Sequence, residues 1–209
     1  EADEMLGRTP GKIKVIKPMK DGVIADFETT EMLLDYLLRK IKIKGSMFKP
    51  RILICCPSNI TEVEKSAIKD AAERTGAKRV FIEEEPKVAA IGTGMDISKP
   101  SGNMIVDIGG GTTGISVFKN NKLIHVIDEA TGGFHMTLVL GGRYKIKNDE
   151  AEQLKRDKDK EPEVYAVIKP VVEKMAAIVQ NMGAEVIDPV IVVGGATNFT
   201  VFTTTFSKT

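Results

Sequence analysis

The stretch Val106-Asp107-Ile108-Gly109-Gly110-Gly111-Thr112-Thr113-Gly114-Ile115 constrains this chain more than any other. A buried apolar strand ends on a carboxylate, and three consecutive glycines then let the backbone bend and present N–H groups at close range. Successive unhindered amides form an anion nest. The turn Gly109, Gly110, Gly111, Thr112 and Thr113 therefore suits a di- or triphosphate, with Asp107 holding a hydrated magnesium ion. The bland alternative is a glycine-rich hairpin, but a two-residue hairpin needs one or two glycines and no preceding Asp. The spacing is neither that of a Walker loop nor that of a dinucleotide-binding fingerprint.

A second glycine cluster, Val192-Val193-Gly194-Gly195-Ala196, also follows an apolar strand. Alone it is an ordinary strand-to-helix junction. As the second such turn in the same half of the chain, it offers a place where one nucleotide lies across both. Glu152 and Lys155 stand three apart on a helical segment and share a face; they read either as an exposed ion pair or as a grip on ribose hydroxyls. Glu83-Glu84-Glu85-Pro86 closes a strand, either as a solvated corner or as a carboxylate that orients water for in-line attack. His125 and His135 have no second ligand at metal spacing, which argues against zinc. No Gly-x-Ser-x-Gly elbow is present.

Around these turns strand and helix signals alternate, so the class is α/β. Arg51–Cys56 is an apolar run ending at Pro57, the pattern of a strand covered on both faces. Thr61 and Glu64 make a capping box before a helix that stops at Gly76, and 79–82 is the next strand. Thr30 precedes an apolar stripe at helical spacing from Leu33 to Ile41. The loop 99–102 reads as a hinge between lobes. Beyond it come a strand at 104–107 and paired strands at 114–118 and 123–127 around the turn 119–122. A small helix follows Gly132-Gly133, a second at 149–156 is capped by Asn148, and the charged run 156–161 reads as a solvated loop. Val171, Val172, Met175, Ile178, Val179 and Met182 mark a helix with Pro170 at its first turn or at a kink, and 189–193 is the last strand.

Composition excludes several classes. Lys and Arg number 30 against 29 Asp and Glu, so no general basic field draws nucleic acid. Trp is absent and aromatics are 5%, which disfavours a stacking surface for single strands. No apolar run reaches the roughly 18 residues of a membrane span, and the first residues are not those of a signal peptide. Adjacent Cys55 and Cys56 point to opposite faces of a strand, cannot easily bridge, and read as small core residues in a reducing, cytoplasmic setting.

Further segments carry a resemblance. Arg8-Thr9-Pro10-Gly11, the run 17–26, Ile60-Thr61-Glu62-Val63-Glu64-Lys65, Ala71-Ala72-Glu73-Arg74-Thr75-Gly76-Ala77, Glu84-Glu85-Pro86 and Pro100-Ser101-Gly102-Asn103-Met104 resemble the MreB-type bacterial actins, of the actin, sugar-kinase and heat-shock-chaperone superfamily. That likeness covers about residues 1 to 113. From Thr113 on, Gly114-Ile115-Ser116-Val117, the run 128–133, Glu150-Ala151-Glu152-Gln153 and the run 169–176 are similar to EutJ, the actin-fold family of ethanolamine-utilisation operons.

The resemblance implies an actin-like (ribonuclease H-like) two-lobe fold that lacks the outer subdomain of lobe two; only about 16 residues separate Gly132 from Asn148. It implies a first lobe over 1–99, with an outer-subdomain remnant at 1–19 and an inner subdomain at 20–99. The second-lobe inner subdomain then spans 100–209, with a C-terminal return toward lobe one. It further implies ATP or ADP with Mg2+, the second phosphate loop at Asp107 to Thr113, and Glu85 as the residue that positions the attacking water. Glu152 and Lys155 match the ribose contacts, and Gly194, Gly195 and Ala196 the adenosine loop. The family's first phosphate loop, Asp-x-Gly-Thr on an N-terminal hairpin, has no counterpart here, so turnover is expected only where a fuller chain supplies it.

Three functions stay open. The leading one is an ATP-binding, ATP-hydrolysing bacterial actin that joins its own copies head to tail and meets a membrane surface or cell-shape proteins, without nucleic acid. The others are a non-polymerising accessory ATPase of the EutJ kind and a nucleotide-binding scaffold without turnover.

Overall fold

The computed structural model describes residues 5, 11, 13–16, 18–20, 23–41, 49–58, 60–182, 187, 189–199 and 202. Contacts divide the chain into two units, Glu1–Glu85 and Pro86–Thr209. The expected outer-subdomain remnant at 1–19 and the C-terminal return after 199 fall mostly outside the described residues.

In the first unit β1 (Met19–Lys20) pairs antiparallel with β2 (Val23–Ile24), and α1 (Phe27–Lys40) follows. Asp26 caps α1, its carboxylate accepting the Thr29 N–H at 2.7 Å. Thr30, which precedes the apolar stripe, is buried in the first turn and donates its hydroxyl to the Asp26 carbonyl at 2.7 Å. The Asp carboxylate wins the orphan amide because an ionised acceptor makes the stronger bond. β3 (Arg51–Cys56), α2 (Glu62–Arg74) and β4 (Arg79–Glu84) form a β-α-β unit with parallel strands, Arg51 opposite Arg79 and Cys56 opposite Glu84. The capping box is present: Thr61 Oγ1 accepts the Glu64 N–H at 3.2 Å, and Glu64 accepts the Thr61 N–H at 2.7 Å. Arg74 ties α2 to α1, lying 5.2 Å from the Phe27 ring centroid and 3.7 Å from Glu31.

Cys56, Ile60 and Ile68 form the core of this unit. Arg51, Leu53 and Cys55 alternate with the inward residues of β3 and are exposed. The strand is thus covered on one face among the described residues, and Cys55 is not a core residue. A period of two sends neighbouring side chains to opposite faces.

α3 (Glu85–Gly92) carries the chain into the second unit. There β5 (Asn103–Ile108), β6 (Thr113–Lys119), β7 (Lys122–Glu129) and β8 (Val190–Val193) form a sheet of order β7-β6-β5-β8. β5 is antiparallel to β6 and parallel to β8. The β6–β7 turn has Asn120 at φ 51 and Asn121 at φ 62, the left-handed pair that suits a two-residue hairpin and that Asn tolerates. The loop 99–102 lies within this unit, where the Lys99 carbonyl accepts the Gly102 N–H at 3.3 Å and the Asn120 N–H at 3.4 Å.

α4 (Gly133–Tyr144), α5 (Asn148–Arg156) and α6 (Glu161–Gln180) cover one face of this sheet. Met104, Val106 and Ile108 meet Met136, Leu140, Ile168 and Met175 in the main core. Ile105 and Phe118 pack with Ala90 and Met95 on the other face. Asn148 is the first helical residue of α5 rather than its cap; the Lys147 N–H donates to the Glu150 carboxylate at 2.9 Å, so the reach-back of the third residue sets the start. The run after Arg156 is not a loop throughout. Lys158–Lys160 is a 3-10 turn, and α6 begins at Glu161 with Pro162 in its first turn and Pro170 inside the helix.

Ile168 is fully buried, so Ile168→Ala is expected to cost about 3 kcal/mol of unfolding free energy through lost burial and a cavity. Urea unfolding checks it, with exposed Glu173→Ala expected within about 0.5 kcal/mol of wild type.

Candidate functional site

The turn after β5 is built by the start of α4. The Gly133 N–H donates to the Gly109 carbonyl at 2.9 Å, and the Phe134 N–H to the Gly110 carbonyl at 2.7 Å. Gly109 closes the turn by donating to the Thr112 carbonyl at 3.0 Å. The carbonyls therefore face the helix, while the N–H groups of Gly110, Gly111 and Thr112 have no acceptor among the described residues. Gly132 lies directly beneath: a Cβ there would come within 2.7 Å of both Gly111 C and Thr112 N. Its own N–H donates to His135 Nδ1 at 3.0 Å. The buried Thr113 hydroxyl donates to the Thr131 carbonyl at 2.6 Å and anchors the far end of the turn.

A cleft of about 720 Å³ opens beside this turn. Gly109, Gly110, Glu152, Lys155, Gly195 and Ala196 all line it, so both glycine turns and the Glu–Lys pair meet at one place. Gly111 and Thr112 are exposed in the same turn. Gly194 ends β8 at φ +102, where a Cβ would strike the Ile108 carbonyl at 2.3 Å and Asp107 Oδ1 at 2.6 Å. Only glycine lets the two strand ends approach this closely.

Asp107 shares a face of β5 with Ile105, opposite Gly114 of β6, which in turn stands opposite Asp128 of β7. Asp107 is half-buried, has no hydrogen-bond or ion-pair partner among the described residues, and burial pushes its carboxyl above the ordinary range. Glu85 is the exposed first residue of α3 and belongs to the first unit. Its charge, after burial, helps raise the Cys55 thiol.

The Glu–Lys pair is more than an exposed ion pair. Lys155 keeps 11% of its side chain exposed and reaches Glu152 Oε2 at 2.5 Å, Thr137 Oγ1 at 2.8 Å and the Gly133 carbonyl at 3.0 Å. Thr137 donates to the same Glu152 oxygen at 2.6 Å, and Arg156 Nε reaches Glu152 Oε1 at 2.8 Å. Burial pushes the Glu152 carboxyl up, but these donors together outweigh it and hold the group down at about 2.

Sequence reasoning missed Phe134, Arg156, Asp157, Lys158, Glu161, Asn198 and Phe199, which complete the cleft. Lys158 bonds the Asn198 carbonyl and lies 3.5 Å from Glu161, so the charged run is a wall rather than a solvated loop. Buried Glu161 behind that run was not legible, because helix-start signals were read only at Pro170. A signal for the α4 contacts did exist in Thr131-Gly132-Gly133, two glycines where a helix must meet another backbone.

A family model of MreB/Mbl protein matches residues 1–140, and one of the type IV pilus assembly protein PilM matches residues 96–200. The cell shape-determining protein Mbl of Bacillus subtilis is 61% identical over 124 residues, 59% of this chain and 37% of the relative. The cell shape-determining protein MreB of Escherichia coli is 46% identical over 134 residues, 64% of this chain and 39% of the relative. The matches thus span well under half the length of these curated relatives. Among solved structures, ethanolamine utilization protein EutJ from Carboxydothermus hydrogenoformans has a TM-score of 0.74 at 33% identity, covering 93% of this chain and 71% of that one. MreB5 of Spiroplasma citri bound to ADP has a TM-score of 0.73 at 29% identity, covering 92% and 71%.

The two carboxylates carry opposite pH signatures. A raised folded pKa, as at Asp107, favours the fold below the ordinary carboxylate range and loses that benefit as pH rises through the folded value. Asp107→Asn is therefore expected to raise the urea midpoint near about pH 7, the gain vanishing near about pH 3. A depressed pKa, as at Glu152, gives stability complete above about pH 5 and lost as pH falls toward about 2. Glu152→Gln should lower the midpoint near about pH 7 and flatten the acid limb below about pH 5.

Proposed function

Because this chain belongs to the MreB/Mbl family and has the actin-like fold, we propose that its second unit binds ATP or ADP in the cleft between the two glycine turns. One observation carries this reading: three unengaged N–H groups at Gly110, Gly111 and Thr112, aligned at the end of β5 beside an unpartnered Asp107. Such a nest attracts anionic oxygen, and the ADP held by the Spiroplasma relative supports the choice of ligand. In this reading the turn 109–113 takes the phosphates, Glu152 and Lys155 attend the ribose, and Gly194, Gly195 and Ala196 take the adenosine.

Mg2+ suits the donor set. Asp107 is a single hard oxygen donor, and no group of three or more His, Cys, Asp or Glu among the described residues could hold a metal ion without further ligands. Mg2+ commonly binds one carboxylate, waters and substrate phosphates rather than an all-protein cage. When bound, it would neutralise phosphate charge. Glu85, at the start of α3, is the residue we assign to aligning the attacking water. The family supports head-to-tail self-assembly into filaments, a contact that repeats without closing, with a role in cell shape at the cytoplasmic side of a membrane. No helix among the described residues is long and apolar enough to cross that membrane. A second reading, a non-polymerising accessory ATPase, is favoured by the likeness to EutJ over 93% of this chain.

Calorimetric titration with ADP tests the site. Asp107→Ala is expected to weaken binding in Mg2+ by about tenfold or more and to erase the difference between Mg2+ and chelator; an unchanged affinity removes Asp107 from the site. Glu85→Ala should keep ADP affinity and slow phosphate release from ATP by roughly a hundredfold, in whatever length of chain turns over. Filaments seen by electron microscopy after ATP addition select the cytoskeletal reading, and single particles with phosphate release select the accessory one.

A further inference from the structure

We propose that Thr137 is a positioning residue that fixes the Glu152 carboxylate as the hydroxyl-recognising group of the cleft, so that the site favours a nucleotide with intact ribose hydroxyls over its deoxy counterparts. The inference rests on the nucleotide reading above, its ribose contact at Glu152 included, and adds to it the residue that holds that carboxylate in place.

Thr137 lies in the second turn of α4 with 1% of its surface exposed. A hydroxyl has one proton to give and two lone pairs. Here the proton goes to Glu152 Oε2 at 2.6 Å, nearer and charged, ahead of the Gly133 carbonyl at 3.3 Å, and a lone pair takes a Lys155 proton at 2.8 Å. An ammonium has three donors. Those of Lys155 go to Thr137 Oγ1, Glu152 Oε2 at 2.5 Å and the Gly133 carbonyl at 3.0 Å. Lys155 thereby spends its three donors on the protein, so its share of the ribose contact runs through Glu152.

Glu152 Oε2 is likewise occupied twice, whereas Oε1 takes only Arg156 Nε at 2.8 Å. The carboxylate lines the cleft with acceptor capacity left on that one oxygen. An ionised carboxylate accepts and cannot donate, so its complement is a hydroxyl, and a sugar lacking that hydroxyl leaves the oxygen unsatisfied. Gly133 links this cluster to the phosphate turn: its carbonyl holds Lys155, and its N–H holds the Gly109 carbonyl. One turn of α4 therefore sets the carboxylate and the amide nest in a common frame. Without the Thr137 hydroxyl, Glu152 Oε2 keeps Lys155 as its one donor, Lys155 loses an acceptor, and the carboxylate, held otherwise by exposed Arg156 at Oε1, is less firmly set in the cleft.

The test titrates the full 209-residue chain with ADP, 2′-deoxy-ADP, 3′-deoxy-ADP and inorganic pyrophosphate, for wild type, Thr137→Val and Thr137→Ser. Wild type is expected to prefer ADP to at least one deoxy form by about tenfold, the worth of one charge-assisted hydrogen bond. Thr137→Val should lose most of that preference while pyrophosphate affinity stays within about twofold, and Thr137→Ser should keep it. If the valine variant does not fold by circular dichroism, Thr137→Ala carries the same expectation. Full discrimination in a folded hydroxyl-free variant overturns the inference, as does an equal loss of ADP and pyrophosphate, which marks a purely structural residue. Wild type that binds ADP and both deoxy forms equally overturns the inference and leaves the nucleotide reading standing. Wild type that binds neither ADP nor pyrophosphate overturns both.

Discussion

Two hydrogen bonds decide how the second unit presents itself. A helix begins with four N–H groups that lack partners in the helix, and these ordinarily go to a cap or to water. In α4 the first two, at Gly133 and Phe134, go to the carbonyls of Gly109 and Gly110. With those carbonyls taken by the helix, the N–H groups of Gly110, Gly111 and Thr112 have no acceptor among the described residues. The glycines at Gly132 and Gly133 then follow from contact. The backbone of 110–112 rests where a Gly132 Cβ would be, and a Gly133 Cβ would come 3.1 Å from the Ala196 side chain. The nest is thus a joint product of a strand end and a helix start that lie more than twenty residues apart in the chain.

The same region carries opposed electrostatics at close quarters. Asp107 sits half-buried without a partner, and its ionised form is disfavoured by desolvation. Glu152 faces a similar desolvation but is held ionised by Lys155, Thr137 and Arg156. A protein under selection for stability alone would neutralise or pair Asp107, since an uncompensated buried charge destabilises. In the proposed nucleotide reading, Asp107 at the end of β5 is the carboxylate that meets the ligand's cation. Glu152 is the converse, a carboxylate prepared in advance in one ionisation state and one orientation.

Local chemistry was legible in the sequence wherever a short segment settles its own structure. The capping box at Thr61 and Glu64, the strand Arg51–Cys56 and the hairpin turn at Asn120 and Asn121 needed only neighbours within a few residues. So did the glycine turn after β5, because three glycines behind an Asp leave few alternatives. Competition between neighbours was harder to read. Lys147 took the place of Asn148 as the cap of α5, because the Glu150 carboxylate reaches back three residues to the Lys147 N–H. Exposure of Cys55 was also hidden, because an apolar run does not say how many faces of its strand are covered. Thr137 was invisible for a third reason. Nothing in its flanking residues sets it apart, and its role comes from Glu152 and Lys155 on another helix.

That last case turns on the corner between α4 and α5. Lys145 ends α4 in the left-handed conformation at φ 57, and the Ile146 N–H returns to the Gly141 carbonyl at 3.1 Å, so the chain reverses within a few residues. Gly141 has no side chain to hold the helices apart; a Cβ there would lie 3.2 Å from the Ile146 carbonyl and 3.9 Å from the Ala151 side chain. With α5 drawn in along the buried Ala151, the face carrying Glu152 and Lys155 comes down on Thr137 and Gly133. Spacing of three along α5 guarantees only that Glu152 and Lys155 share a side of one helix. The tight corner decides which backbone that side meets, and so turns an ordinary surface pair into a half-buried cluster joined through Gly133 to the glycine turn after β5.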